Sequence, residues 1–131
     1  MKTLNSNIPD IIKNHKRIAV IGLSPNSMRP SNGVARMMIR EGYEVIPVNP
    51  GHDEILGQKS YPSLSDIPGD VDLVDVFRQP QYVAGIVDEA IQKGVKAIWL
   101  QLGVIDEDAA QKALEHGIDV VMDRCWAIEY H

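Results

Sequence analysis

The 131 residues include one cysteine, one phenylalanine and two tryptophans, and positive charge is scarce. A single thiol, Cys125, excludes an internal disulfide framework and any zinc cluster built on thiolates, and it suits a reducing compartment. No apolar run approaches the roughly 18 residues of a membrane span, and MKTLNSNIPDIIKNHK lacks the apolar stretch of a secretory signal. A cytoplasmic protein with no membrane partner is expected. Thirteen Lys and Arg stand against 18 Asp and Glu, a formal net charge of -5. That balance disfavours a broad nucleic-acid footprint, so any anion site must be local.

What is present fits one soluble domain over residues 1–131, with 44% hydrophobic and 24% charged residues. Short apolar β-branched runs alternate with helical spacings. Ile8, Ile11 and Ile12, with Pro9 near the start, predict a short helix. Arg17 to Leu23 then predicts the first strand, Ser31 to Gly42 a helix with an N-cap near Ser31, and Glu44 to Val48 the second strand. Pro47 is unusual there, because proline cannot donate a ladder hydrogen bond and favours an edge or a strand end.

From Asn49 to Asp70 no helical period emerges; a short strand near Lys59 and a helical turn near Leu64 to Asp66 are expected. Asp72 to Phe77 is the third strand, and Val83, Ile86, Val87, Ala90 and Ile91 form one helical face that closes at Gly94. Lys96 to Leu100 is the fourth strand, Asp106 to His116 a helix and Val120 to Met122 the fifth strand. Strands that are apolar without alternation, separated by helices, predict a three-layer α/β/α domain. Its core is a doubly wound, Rossmann-like parallel sheet with expected strand order 3-2-1-4-5.

In such a sheet ligands bind beyond the carboxyl ends of the strands, at the switch point expected between the first and fourth strands. Gly22 to Ser31, Val48 to Pro50, Phe77 to Pro80, Gln101 to Gly103 and Asp123 to Cys125 fall there. RIAVIGLSPNSMRPSNGVAR reads as strand, polar loop and helix start, the local structure on which phosphate oxygens settle. A nicotinamide dinucleotide lacks two of its expected features: no G-x-G-x-x-G is present, and Asn49 and Pro50 follow the second strand where a ribose-binding acid would stand.

The order and spacing of IAVIGLSPNSMRPSNGVAR, VIPVNPG, ILGQKSYPSLSDIP, VDVFRQP, WLQLGV and VMDRC resemble the CoA-binding domain family. Its small Rossmann-like domains are akin to the N-terminal domain of the succinyl-CoA synthetase alpha subunit, and the chain resembles the stand-alone bacterial members in particular. The resemblance implies coenzyme A or an acyl-CoA as the small-molecule partner. It implies the diphosphate near Gly22, Leu23, Ser24, Arg29, Pro30 and Ser31, and the adenosine end near Val48, Asn49, Pro50, Arg78 and Pro80. Pantetheine would lie over Gln101 and Leu102, toward Cys125. The synthetases continue into a phosphohistidine-bearing domain where this chain ends, so binding without catalysis is the expectation.

The alternative is an enzyme, a small NAD(P)-linked oxidoreductase or an acyl-CoA transforming protein that uses Cys125 or Ser24. Gly22-Leu23-Ser24 departs from a nucleophile elbow at Asn26, and no triad histidine follows in a suitable place. His52, Asp53 and Glu54 are adjacent rather than four residues apart, which argues against a metal site. Asp123 is expected to cap a short terminal helix, with Cys125 in its first turn beside the site.

Overall fold

Five strands of the computed structural model, which describes residues 2–131, run parallel in one sheet. They are β1 (Arg17–Ile21), β2 (Glu44–Val48), β5 (Leu73–Val76), β6 (Ala97–Leu100) and β7 (Asp119–Met122). A two-stranded antiparallel ribbon, β3 (Glu54–Ile55) with β4 (Gln58–Lys59), lies in the long connection, followed by a 3-10 turn at Leu64–Asp66. The helices are α1 (Ile8–Asn14), α2 (Pro30–Arg40), α3 (Val83–Lys93), α4 (Glu107–Glu115) and α5 (Trp126–Tyr130).

The strands are short and buried on both faces, which is why their sequences are apolar without alternation. One face carries Ala19, Ile21, Ile46, Val74, Ile98 and Val120 into a core completed by α3 and α4. The other carries Ile18, Val20, Leu73, Trp99 and Val121 under α1, α2 and α5. α3 follows its sequence period and stops where Gly94 takes φ 78, the left-handed conformation a C-cap requires.

The three-layer class agrees with the sequence, but the strand order does not. The sheet runs β2-β1-β5-β6-β7, which is 2-1-3-4-5 in the count of predicted strands rather than 3-2-1-4-5. β5 pairs with β1 on one side and β6 on the other, as its fully buried residues require. β2 is left at the edge, where Pro47 removes no ladder bond. The connection itself covers that edge: Tyr61 N donates to Pro47 O at 3.0 Å and Asn49 N donates to Tyr61 O at 2.9 Å. A strand outside β2 would need the positions Tyr61 already fills.

The opposite edge is covered by the N-terminal segment. Asn5 N donates to Val120 O, and its side-chain amide brackets the Met122 backbone, accepting from Met122 N at 2.7 Å and donating to Met122 O at 3.3 Å. Both edges are therefore closed to further pairing.

Candidate ligand site at the carboxyl ends of the strands

The switch point falls between β1 and β5, so the crevice opens beside the loops that follow these two neighbouring strands. Gly22 ends β1 with φ 84. A Cβ there would stand 2.5 Å from Phe77 O and 3.0 Å from Arg78 Cδ. Only glycine lets the two loops come this close.

The loop from Gly22 to α2 is held by its own polar side chains. Ser24 N donates to Ser31 Oγ at 3.0 Å, Asn32 Nδ2 donates to Ser24 O at 2.9 Å, and Met28 N donates to Asn26 Oδ1 at 2.9 Å. Arg36 donates to Asn32 Oδ1 and Ser27 O, which ties the loop to the helix rather than forming a surface ion pair. Arg29, not Ser31, occupies the N-cap, because Pro30 starts the helix at N1. The Ser31 hydroxyl is buried in the first turn and reaches back to the loop.

Two adjoining cavities result. Gly22, Ser24, Arg29, Pro30, Ser31 and Phe77 line a polar one of about 320 Å³. An apolar one of about 490 Å³ continues past Pro30 and Phe77, which belong to both, along Val34, Arg78, Pro80, Gln101, Leu102, Val104 and Cys125. The Arg29 side chain is exposed at the mouth of the polar lobe. Arg78 lies with its guanidinium carbon 4.1 Å from the Tyr82 ring centroid, a cation-π contact that leaves its N–H edge open.

The far wall is built by the loops after β6 and β7. Asp123 Oδ1 accepts from Gly103 N at 2.8 Å, Trp99 Nε1 donates to Arg124 O at 2.8 Å, and Trp126 N donates to Gln101 Oε1 at 3.2 Å. Asp123 therefore joins two loops and does not cap α5. Cys125 occupies that N-cap position, without a side-chain cap bond.

Ten of the fourteen residues singled out from the sequence line the two lobes: Gly22, Ser24, Arg29, Pro30 and Ser31 the first, and Arg78, Pro80, Gln101, Leu102 and Cys125, with Pro30 again, the second. The other four do not line them. Leu23 is fully buried beneath α2, and Val48 is buried with its carbonyl accepting from Gly22 N at 2.9 Å. Asn49 uses both ends of its amide to join loops, donating to Leu23 O and accepting from Gly51 N. Pro50 is exposed beside it. Val34 and Val104 line the apolar lobe unanticipated; Val34 sits one helical turn after Pro30, a spacing that does indicate a shared face.

One buried charge-bearing group lies outside the crevice. Asp75, in mid-β5 between Val20 and Trp99, is fully buried and neither carboxylate oxygen has a partner. Burial alone holds its carboxyl well above the ordinary value of 3.8.

The family described as CoA binding domain matches residues 16–131. The chain is 42% identical over 118 residues to the uncharacterized protein YneT of Bacillus subtilis, covering 90% of this chain and 87% of that one. It is 33% identical over 111 residues to an ADP-forming acetate–CoA ligase II of Archaeoglobus fulgidus, covering 81% of this chain but only 16% of the ligase. A hypothetical protein from Pyrococcus horikoshii OT3 has the same fold at TM-score 0.91 and 40% identity, covering 95% of this chain and 87% of that chain.

Proposed function

Because the chain belongs to the CoA-binding domain family, we propose that it binds coenzyme A or an acyl-CoA across the two lobes of the crevice, as a binding protein without catalysis of its own. The observation that carries this reading is their continuity: a polar lobe at a helix start opens directly into an apolar one past Pro30 and Phe77. A diphosphate suits the first, where Arg29 and the Ser31 region offer charge and donors. Pantetheine, long and weakly polar, suits the second. The carboxylate that would hold a nicotinamide ribose is missing after β2, where Asn49 bonds to Leu23 and Gly51 instead. Ser24 Oγ accepts from Asn26 N at 3.1 Å, a bond that serves the loop rather than a nucleophile.

Calorimetric titration with CoA, NAD, NADP and ATP tests the proposal. CoA should bind most tightly; no heat with CoA, or a clear preference for NAD, overturns it.

A further inference from the structure

Gln101 is buried, 4% exposed, yet lines the apolar lobe. Its orientation is decided by the backbone: only the amide oxygen can accept from Trp126 N–H, so the oxygen faces α5. The NH2 end therefore points away from that contact, and it has no hydrogen-bond partner among the described residues. The nitrogen is not sealed inside the protein and keeps access to the open lobe, where, among walls formed by Val34, Phe77, Pro80, Leu102 and Val104, the ligand group that can take this donor is a carbonyl oxygen on an otherwise apolar ligand.

We infer that the apolar lobe takes the thioester end of a short-chain, uncharged acyl-CoA, with the Gln101 amide donating to the thioester carbonyl. The inference rests on the CoA reading above and narrows it to a ligand class. The acyl chain must be short because the lobe, about 490 Å³, also holds pantetheine. An uncharged chain fits best because Val34, Phe77, Leu102 and Val104 would strip water from a carboxylate without replacing it. Leu102, 60% exposed in the free protein, would be covered by the acyl group.

The experiment compares CoA, butyryl-CoA, succinyl-CoA and the thioether S-butyl-CoA by calorimetry, on the wild-type protein and on Gln101→Glu. Glutamate retains an oxygen for Trp126 N–H but removes the donor. Butyryl-CoA should bind about 15- to 60-fold more tightly than CoA, the effect of burying two or three methylenes. S-butyl-CoA and succinyl-CoA should be weaker than butyryl-CoA. In Gln101→Glu the advantage of butyryl-CoA over S-butyl-CoA should vanish. Equal affinities for CoA and butyryl-CoA overturn the inference and leave the CoA reading standing; no binding by any of the four overturns both. Equal weakening of CoA and butyryl-CoA in Gln101→Glu assigns the donor to a pantetheine amide and overturns the inference too. The thioester and thioether comparison on the wild-type protein decides the matter even if the variant fails to fold.

Discussion

The two ends of the sheet are built from the same strands and handle charge in opposite ways. At the amino ends, charges face one another. Arg17 Nε pairs with Glu44 at 3.1 Å while its guanidinium also donates to Pro68 O and Asp70 O; Asp72 accepts from Arg17 N and pairs with Lys96; Lys2 pairs with Asp119. At the carboxyl ends, Arg29 is exposed beside a polar cavity, Arg78 rests on a ring face and Gln101 keeps an unused donor. Charge at the first end closes the chain on itself. At the second it is available to something else, and that asymmetry, more than the presence of a cavity, is what the proposed site rests on.

The comparison breaks first at Gly22, where the carboxyl-end loops touch. Gly22→Ala combines a left-handed backbone with a Cβ 2.5 Å from Phe77 O, and should destabilise the fold by about 3 kcal/mol. Urea denaturation reads this directly; a change below 1 kcal/mol would mean the loops separate freely.

A matched pair of arginines sharpens the contrast. Arg29→Ala should weaken CoA binding by about 2 kcal/mol and leave stability within about 0.5 kcal/mol, since an exposed arginine beside a phosphate acts only when the ligand is present. Arg17→Ala should do the reverse, lowering stability by about 1 kcal/mol with CoA affinity unchanged. The carbonyl bonds to Pro68 and Asp70 account for most of that loss, because the Glu44 side chain is largely exposed. Denaturation and calorimetry on both variants check the crossed pattern.

The effect that is smallest near pH 4, and that grows with pH, lies midway between the two ends, at Asp75. Its folded carboxyl holds its proton above the ordinary value of 3.8, so the folded state binds more protons than the unfolded one in that range. Stability is retained below pH 3.8 and falls as pH rises toward the folded value. Asp75→Asn should flatten this decline, so melting temperatures of variant and wild type should diverge in the variant's favour as pH rises. Parallel curves would show that Asp75 has a partner when ionised.

How much of this was legible in the sequence varies with the range of the interaction involved. α3 and the turn at Leu64–Asp66 were readable because a helical period, a proline and a C-cap glycine are local signals. The strand order was not, although Pro47 pointed to an edge: which neighbour β5 chooses depends on where Tyr61 crosses β2, and nothing local encodes that. Gly22, Arg29 and Gln101 were legible as residues at strand ends. Asp123 was misassigned as a cap, and Asn49 lines neither lobe, because short polar side chains join whichever loops the fold brings near, here Leu23 to Gly51 and Asp123 to Gly103. Ser31 was two positions off as a cap, because Pro30 takes N1 and leaves the cap to Arg29.

The central claim, that the carboxyl ends of β1, β5 and β6 form the CoA site, is tested most directly by titrating uniformly nitrogen-15-labelled protein with CoA and following its backbone amide resonances. Shifts should concentrate on Gly22 to Gly33, Phe77 to Gln79 and Gln101 to Val104, with Arg17, Asp72 and Lys96 unmoved. Shifts centred on those amino-end residues, or a spectrum unchanged at saturating CoA, would contradict it.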